Sequence, residues 1–384
     1  MSQDQWDVIV IGGGMAGASA AYEMAADRRV LLVERESQPG YHTTGRSAAL
    51  YEPTYGNRTI RAITLASRGF LTAPPDGFAS HALMTPRGVL VVGAADDEAS
   101  LANHYDACRP LSETIRRVTS AEALALVPII RPETAAAGGV YEPAAMDMDV
   151  HALHRGYLSG LTRRGGTVRT TAEVTALQHR AGLWEVRLGT ETVSAPVVVN
   201  AAGAWADQIA ALAGVLPIGL VPKRRTAITF DPPTGLAIDP WPMVVDAHET
   251  WYIKADAGRL LASPADATPS VPCDAQPEEL DIATVIDRLE QATTLTVRRL
   301  VSRWAGLRSF VADNTPVVGF EPGSDGFFWL AGQGGYGIQT APAMGRIAAA
   351  LSSGAAMPSD LQALAVSEAD LAPQRLARTV ATLH

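Results

Sequence analysis

Cysteine and lysine are both scarce in this sequence of 384 residues, and each scarcity limits what the protein can be. The two cysteines, Cys108 and Cys273, are too few for a disulfide framework or a cysteine-ligated metal cluster, which favours a reducing compartment. Lysine occurs only at Lys223 and Lys254, so arginine carries nearly all of the positive charge. Because the formal net charge is −9 and no basic stripe is present, we do not expect a nucleic-acid partner.

Long apolar runs are missing as well. No run of ~18 apolar residues is present, so we expect no transmembrane segment. The first strand begins at Val8 and leaves no room for a signal peptide before it, which predicts a cytoplasmic protein. A hydrophobic content of 47% and a charged content of 18% are typical of a globular chain, and 384 residues are enough for two domains.

The N-terminal segment carries the most informative motif. The β-branched run Val8–Ile11 predicts a buried strand, and the small residues of segment 16–26 predict a helix. Glycines in the spacing G-x-G-x-x-G stand where the strand meets the helix, and a second apolar strand ends at Glu34. This is the β-α-β dinucleotide fingerprint in the context that it requires, so the start of the chain is predicted to bind a dinucleotide.

Each residue of this motif has its own expected task. Gly12 permits the tight turn, Gly14 lets the backbone approach a pyrophosphate, and Gly17 lets the helix pack closely on the strand. The helix N-terminus presents unpaired N–H groups and the positive end of its dipole to the phosphates. Glu34 is placed to accept hydrogen bonds from a ribose diol.

Several segments resemble the D-amino-acid oxidase superfamily of FAD enzymes, in the same order along the chain. They are residues 12–17, 34–35, 44–48, 197–207, 304–310, 326–339 and 341–345. Within this superfamily the sequence is most similar to bacterial D-arginine dehydrogenase and to relatives that oxidise D-amino acids. That likeness is carried by residues 41–49, 222–225, 304–313 and 333–340.

The resemblance implies an α/β fold (α+β overall), in which a Rossmann-like FAD-binding domain is interleaved with a substrate domain built on a mainly antiparallel β-sheet. The FAD-binding domain is expected to take residues 1–80, 146–217 and 301–384, and the substrate domain residues 81–145 and 218–300. Local patterns predict a strand over 85–93, helices over 111–127 and 279–294, and a hairpin-like layer that contains Trp184 and Thr192.

FAD is the cofactor that the resemblance implies, and it is expected to be bound non-covalently. The expected contacts are Gly12, Gly14, Met15, Ala16, Gly17, Glu34, Arg35, Thr44, Gly45, Arg46, Ser47, Ala48, Val174, Ala202, Gly203, Trp205, Gly306, Arg308, Gly334, Gly335, Tyr336, Gly337, Ile338 and Gln339. His42 and Cys273 lie in local patterns unlike those of relatives that tether the flavin covalently. His151 and His154 have metal-like spacing without a third ligand nearby, so no metal is expected.

A substrate carboxylate would need a planar, bidentate cationic partner, which arginine provides and lysine does not. By resemblance this partner is the pair Arg225 and Arg308, although Arg224 is an alternative to Arg225. Tyr55 and Tyr252 match the phenols that reach the same carboxylate, or they are ordinary core aromatics. By the same resemblance, the Gly335 carbonyl accepts from the substrate amine.

The pocket for the substrate side chain departs from the most similar family. Its expected residues are Leu50, Glu52, Val89, Met243 and Val245. Val89 stands where those relatives have a glutamate, and without that acid a buried cation loses its partner, so apolar or neutral side chains are expected. Glu52 either restores a preference for cations from another wall or is a solvated loop carboxylate. Met243 and Val245 could equally be sheet core.

The resemblance therefore implies an enzyme that transfers a hydride from the α-carbon of a D-amino acid to flavin N5. The imino acid then hydrolyses to a 2-oxo acid and ammonia. A glycine or sarcosine type of amine oxidase, a 2-hydroxy-acid dehydrogenase and an electron-transfer flavoprotein without a substrate of its own stay open as alternatives. The expected partner is a small amino acid, and either O2 or a quinone is the electron acceptor.

Overall fold

The computed structural model describes residues 5–376, so the ends of the predicted FAD-binding domain, 1–4 and 377–384, lie outside it. The described chain forms the strands β1 (Val8–Ile11), β2 (Val30–Val33), β3 (Leu50–Tyr51), β4 (Met84–Pro86), β5 (Val89–Val92), β6 (Arg116–Val118), β7 (Gly139–Glu142), β8 (Met146–Met148), β9 (Thr167–Arg169), β10 (Val174–Arg180), β11 (Leu183–Leu188), β12 (Glu191–Ala195), β13 (Val197–Asn200), β14 (Val221–Phe230), β15 (Met243–Asp246), β16 (Tyr252–Asp256), β17 (Arg259–Ser263), β18 (Thr268–Pro269), β19 (Ser302–Phe310), β20 (Val317–Phe320) and β21 (Phe327–Ala331).

The helices of the described chain are α1 (Met15–Met24), α2 (Arg58–Thr72), α3 (Glu98–Cys108), α4 (Ser120–Leu126), α5 (Val150–Arg163), α6 (Ala206–Leu212), α7 (Glu279–Ala292), α8 (Ala341–Ser352), α9 (Ser359–Ala363) and α10 (Glu368–Leu371). Short 3₁₀ turns lie at Thr43–Arg46, Arg109–Leu111, Gly203–Trp205 and Pro373–Arg375. Within residues 5–376, no helix has both the length and the apolar character that crossing a membrane requires.

A six-stranded sheet in the order β20-β21-β13-β1-β2-β9 is parallel except for β20. Both of its faces are covered, so its strands are continuously apolar rather than alternating. In β1, Val8 and Val10 pack towards α1, α5 and α8, whereas Ile9 and Ile11 pack towards α6 and the β10-β11-β12 layer. The order β1-α1-β2 is the predicted β-α-β unit, and the predicted α/β class is confirmed.

A nine-stranded sheet follows the order β18-β14-β17-β16-β15-β5-β7-β6, with β19 paired to β14. It is antiparallel apart from the β5–β15 pair. One face packs against α4 and α7 through a core that includes Ile228, Ile253 and Val285. Its opposite face carries Arg225 and Tyr252, which line the main cavity together with the glycine turn after β1.

The path of β19 bears on the predicted division of the chain. That division assigns residues from 301 onwards to the FAD-binding domain, yet β19 is hydrogen-bonded along β14, from Val221 opposite Phe310 to Thr229 opposite Ser302. Strand β19 therefore extends the nine-stranded sheet. The division into two interleaved domains stays a prediction.

One predicted element is wrong. The sequence pattern predicts a single helix over 111–127, but the structure has β6 and then α4 in this segment. Strand β6 pairs with β7, and the Thr119–Glu122 capping box begins a new helix at Ser120. Likewise, the strand predicted over 85–93 is interrupted between β4 and β5, where Gly88 has a φ of +75°. The hairpin layer and the helix predicted over 279–294 are present as β10-β11-β12 and α7.

Candidate functional site

A cavity of about 410 Å³ lies between the two large sheets. Its wall is formed by the glycine turn after β1, the loop 40–48, the turn after β13, the strands β14, β16 and β19, and the turn 333–338. A volume of this size is typical of cofactor and ligand sites. The cavity brings together residues that are far apart in the sequence.

Two glycines of the turn after β1, Gly12 and Gly17, pack so closely against neighbouring backbone that a side chain would not fit. Gly12 has a φ of +108°, and a methyl group on it would overlap the carbonyl oxygen of Ala201. A methyl group on Gly17 would overlap the carbonyl oxygen of Gly12 and lie 3.1 Å from its carbon. On Gly14 it would meet only the Thr44 hydroxyl, at 3.4 Å, because this side of the turn faces the cavity.

Helix α1 starts at this turn without a side-chain cap, and its Met15 N–H donates to Thr44 Oγ1 at 3.0 Å. Glu34 accepts from the backbone N–H groups of Gly13, at 2.8 Å, and Glu36, at 2.9 Å. A carboxylate has about four lone-pair positions, so Glu34 keeps acceptor capacity towards the cavity that it lines. A helix N-terminus whose N-cap residue is glycine, with an acceptor carboxylate beside it, suits a pyrophosphate followed by a ribose.

The wall next to this turn is held by contacts that the sequence did not reveal. The guanidinium carbon of Arg35 lies 4.0 Å from the centre of the Trp205 ring. His42 Nε2 lies 3.0 Å from Glu36 Oε1, and its ring packs on Trp205. The buried His154 places Nε2 at 2.8 Å from the Gly13 carbonyl oxygen, so this histidine supports the dinucleotide turn.

Arg46 joins its loop to the nine-stranded sheet. Its Nη1 donates to the carbonyl oxygens of Ala305 and Ala275, both at 2.9 Å, and its Nη2 pairs with Asp274. The Trp304 indole N–H donates back to the Arg46 carbonyl at 3.1 Å. The guanidinium of this expected cofactor residue is therefore engaged with the protein.

Two arginines from neighbouring strands lie on the cavity wall. Arg225 stands opposite Gly306 in the β14–β19 register, and Arg308 follows two positions later in β19. Arg225 Nε donates to the Asp266 carbonyl at 2.6 Å, whereas the carboxylate of Asp266 lies 3.9 Å from Arg224. Neither cavity arginine forms an ion pair with a carboxylate in the described chain, although the charge of Asp266 acts on Arg225. Burial and the charge of Arg308 lower the pKa of Arg225, but arginine stays protonated.

Arg224, the alternative to Arg225, is engaged elsewhere. It pairs with Glu278 and with Asp281, whose carboxylate lies 3.1 Å away. Successive side chains of a strand point to opposite faces, so the partners of Arg224 leave the cavity side of β14 to Arg225. Of the two candidates, only Arg225 lines the cavity.

Phenol groups surround Arg308. Its Nη1 lies 3.5 Å from the Tyr55 hydroxyl, and Tyr252 lines the same cavity. The rings of Tyr55 and Tyr336 lie 4.9 Å apart, and burial raises the pKa of Tyr336 to about 12. Gly335 approaches the Arg308 guanidinium so closely that a methyl group on it would lie 3.1 Å from Nη1.

Most of the expected cofactor and carboxylate residues lie on the cavity wall. These are Gly12, Gly14, Met15, Ala16, Glu34, Arg35, Thr44, Arg46, Ser47, Ala48, Val174, Ala202, Gly203, Trp205, Arg225, Tyr252, Gly306, Arg308, Gly334, Gly335, Gly337 and Ile338. The other expected residues do not line the cavity: Gly17, Gly45, Tyr55, Tyr336 and Gln339. Gly17 packs on Gly12, Gly45 donates to the Gly40 carbonyl, and Gln339 is buried against Thr64.

The expected side-chain pocket does not open onto this wall. Leu50, Val89, Met243 and Val245 instead pack together in one apolar cluster. Val245 is the register partner of Tyr252, so the cluster begins one strand beyond the cavity. Glu52 is partly buried rather than fully solvated, and burial, followed by Glu249 and Glu142, raises its pKa to about 7.

Sequence reasoning missed several wall residues. Among them are Thr43, Ala172, Gln208, Ile209, Ala227, Leu307, Ser309 and Gln333. Ala227 could have been found from strand alternation, because it is two positions from Arg225. No group of three or more His, Cys, Asp or Glu side chains within residues 5–376 is arranged to hold a metal ion.

Comparison with known proteins agrees with this geometry. A family model described as FAD dependent oxidoreductase (DAO) matches residues 7–351. Glycine oxidase from Geobacillus kaustophilus is 24% identical over an alignment of 359 residues that covers 90% of this chain and 93% of that protein. The crystal structure of a glycine oxidase from the same organism superposes with a TM-score of 0.80 at 23% identity, covering 92% of this chain and 96% of that one.

Two further solved structures share the fold. L-alpha-glycerophosphate oxidase from Mycoplasma pneumoniae, solved with FAD bound, has a TM-score of 0.82 at 20% identity and covers 91% of this chain and 95% of that one. Iminodiacetate oxidase from Chelativorans sp. BNC1 has a TM-score of 0.78 at 24% identity and covers 91% and 96%. These two structures show the shared fold, and the family match confirms the predicted superfamily. The finer likeness to D-arginine dehydrogenase stays a prediction.

FAD also fits the residues of the site. The cavity-facing Gly14, the uncapped start of α1 and the acceptor Glu34 provide a cradle for a dinucleotide. The same cavity extends to Arg225 and Arg308, neither of which forms an ion pair with a carboxylate in the described chain. The chain belongs to the DAO family and is an FAD-dependent oxidoreductase.

Proposed function

We propose that this protein oxidises D-amino acids at the bond between the α-carbon and the amino nitrogen. The product is an imino acid, which water hydrolyses to a 2-oxo acid and ammonia. The supporting observation is the pair Arg225 and Arg308, two partly buried guanidinium groups on the cavity wall that form no ion pair with a carboxylate in the described chain. Because charge-assisted, bidentate hydrogen bonds between a guanidinium and a carboxylate are strong, this end of the cavity favours a ligand with a carboxylate.

The residues around the arginines can orient such a ligand. A guanidinium binds a carboxylate through two parallel hydrogen bonds, which fixes the direction of the α-carbon. Tyr252 and Tyr55 supply neutral hydroxyl donors next to the same position, and the Gly335 carbonyl is the proposed acceptor for the substrate amine. FAD supplies the hydride acceptor. The protein therefore has to position the substrate α-carbon and exclude water from it. No protein base is needed if the amine binds unprotonated.

The names of the relatives support oxidation of an amine that carries a carboxylate, as in glycine oxidase and iminodiacetate oxidase. The preference for the D-enantiomer is inferred from resemblance. The preference for apolar or neutral side chains is inferred from Val89, which offers a cation no acidic partner, and not from the cavity wall, which Val89 does not line.

Oxidation of glycine or sarcosine is a second candidate. It is favoured by the position of the apolar cluster of Leu50, Val89, Met243 and Val245, which does not line the cavity. A substrate without a side chain would use the arginine pair and need no contact with this cluster.

Anaerobic reduction of the purified yellow protein tests both candidates. The panel contains D-amino acids with apolar and polar side chains, their L-enantiomers, glycine, sarcosine and 2-hydroxy acids. We expect D-amino acids to bleach the flavin absorbance and the L-enantiomers to leave it unchanged. Bleaching by glycine or sarcosine alone supports the second candidate, and no bleaching by any compound overturns both. Admission of air then shows whether O2 reoxidises the flavin, and acid precipitation tests non-covalent binding by releasing yellow cofactor.

A further inference from the structure

The loop between β17 and β18 runs along the edge of β14 that faces away from β19. Strand β14 pairs with β17 over residues 228–230 and with β18 over residues 223–224. Residues 225–227 lie between these two pairings, next to the loop of residues 264–267, which we call the edge loop. Asp266 of the edge loop provides the hydrogen bonds to this part of β14.

Asp266 contacts residues on both faces of β14. Its carboxylate accepts from the Thr226 N–H at 2.6 Å and from the Thr226 hydroxyl at 3.3 Å, on the face where Arg224 lies 3.9 Å away. Its backbone carbonyl accepts from Arg225 Nε at 2.6 Å, on the face that lines the cavity. The side chain of Asp266 therefore anchors the edge loop to the strand, and its backbone holds the cavity arginine.

The edge loop is buried and depends on its contacts. The Asp266 side chain is only 8% exposed, and burial raises its pKa against the hydrogen bond from the Thr226 N–H, which lowers it. Ala265 has a φ of +52°, which residues other than glycine rarely adopt, and Arg288 of α7 donates to the Pro264 carbonyl at 2.9 Å. Strained backbone of this kind persists only where surrounding contacts hold it. Loss of the Asp266 carboxylate should therefore let the edge loop and its carbonyl shift.

The contact with the Asp266 carbonyl leaves one edge of the Arg225 guanidinium for a ligand. A guanidinium binds a carboxylate through two parallel hydrogen bonds, either from both Nη atoms or from Nε and one Nη. Because Nε donates to Asp266, the edge formed by Nη1 and Nη2 remains, and neither of these atoms donates to a group of the described chain. The carbonyl thus fixes the rotation of the guanidinium before a ligand binds, which lowers the entropic cost of binding.

The charge of Asp266 contributes less than its position. Burial lowers the pKa of Arg225 most, followed by the charge of Arg308. Asp266 acts in the opposite direction, but less strongly than Tyr252 and Tyr55 do. A substitution that removes only the charge of Asp266 should therefore have a smaller effect than one that also removes the anchor.

We propose that Asp266 is a positioning residue for the ligand carboxylate. Its carbonyl turns Arg225 so that Nη1 and Nη2 face the ligand, and its carboxylate keeps the edge loop in place. This inference rests on the proposed function for the identity of the substrate, but it applies to any carboxylate that binds at Arg225. A primary amide of the same shape has only one acceptor oxygen and cannot take both hydrogen bonds.

The test measures the Kd of pyruvate, a small 2-oxo acid, for the oxidised, FAD-loaded protein through changes in the flavin absorbance. In Asp266→Ala this Kd is expected to rise about tenfold, as for the loss of about one hydrogen bond. Asp266→Asn keeps an acceptor for the Thr226 N–H, so its Kd should lie much closer to that of wild type. Asp281→Asn is the matched control: Asp281 also lies 3.3 Å from the Thr226 hydroxyl but pairs with Arg224, so the Kd should not change.

A double-mutant cycle with Arg225→Ala separates positioning from a general effect on the fold. If Asp266 acts through Arg225, then Asp266→Ala adds no further loss of pyruvate affinity once Arg225 is removed. Additive losses overturn the inference, and so does an unchanged Kd in Asp266→Ala. Where Asp266→Ala does not take up FAD, Arg288→Met loosens the same loop from α7. A smaller rise in Kd that also depends on Arg225 is then expected, and an unchanged Kd overturns the inference.

Steady-state kinetics connects this site to turnover, with a D-amino acid that bleaches the wild-type flavin. Asp266→Ala is expected to raise KM about tenfold without changing kcat, because a binding interaction is lost and the reacting atoms are not touched. An unchanged KM overturns the inference and leaves the proposed function standing. If no amino acid reduces the flavin, the proposed function fails, and the pyruvate titration still decides whether Asp266 positions Arg225.

Discussion

The two sides of the cavity offer a ligand different kinds of groups. On the dinucleotide side the protein presents backbone: Gly12, Gly14 and the start of α1. On the substrate side it presents long side chains, Arg225 and Arg308, from two paired strands. A backbone site depends on the absence of side chains, so a single added methyl group can abolish it. A side-chain site depends on charge, and its loss weakens binding without removing the cavity.

The glycine turn provides the largest expected effect. In Gly17→Ala the new methyl group overlaps the Gly12 carbonyl, so α1 has to move away from β1. We expect loss of bound FAD and a loss of unfolding free energy of about 3 kcal/mol, at the upper end of overpacking costs. FAD content and thermal unfolding measure both. A yellow Gly17→Ala protein with unchanged stability contradicts the proposed packing.

Gly14→Ala is the matched control. Its methyl group meets only the Thr44 hydroxyl, at 3.4 Å, so the protein without cofactor is expected to keep its stability. The same methyl group points into the cavity where a pyrophosphate would approach, so the Kd for FAD is expected to rise about tenfold. An unchanged Kd would place the pyrophosphate elsewhere.

Replacement of Arg308 should have the next largest effect and should leave the cofactor in place. Charge-assisted hydrogen bonds contribute about 1.5–3 kcal/mol, so Arg308→Ala is expected to raise KM by about 10- to 150-fold. Arg308→Lys keeps the charge without the bidentate geometry and should fall between wild type and alanine. Steady-state kinetics with a good D-amino acid measures KM, and the flavin absorbance measures cofactor content. If the Arg308 variants were colourless, Arg308 would be required for FAD binding, and the proposed distinction between the two sides of the cavity would be wrong.

Glu52 gives the smallest effect, seen as a dependence of stability on pH. Its pKa is about 7 in the folded protein and 4.5 in its ordinary state. Between these values the folded chain holds a proton that the unfolded chain has lost, so stability falls as the pH rises through this interval. Glu52→Gln removes that loss, and its Tm should exceed the wild-type Tm by about 2–4 °C at pH 8. The difference should vanish near pH 4.5, and an equal shift at both pH values would contradict the assignment.

The same contrast explains what could be predicted from the sequence. The dinucleotide turn is contiguous, and its glycines, flanking strands and Glu34 are all local signals, so the sequence alone is enough to place β1, α1 and β2. The support of Gly13 by His154 could not be predicted in this way, because it comes from a helix much later in the chain.

On the substrate side, pairing between distant strands decides the outcome. The choice between Arg224 and Arg225 depends on which face of β14 meets the cavity, and residues 116–118 form a strand because β7 lies beside them. Burial raises the pKa of Glu52, followed by the charges of Glu249 and Glu142, which the fold brings near it. None of these facts can be predicted from the local sequence pattern.

The central claim is that a substrate carboxylate on the arginine pair positions the α-carbon at the flavin. The most direct measurement is anaerobic bleaching of the bound flavin by a D-amino acid, compared with its primary amide. We predict that the acid reduces the flavin at low concentration and that the amide needs at least about tenfold more. Equal bleaching by acid and amide, or a protein that takes up no FAD, would contradict it.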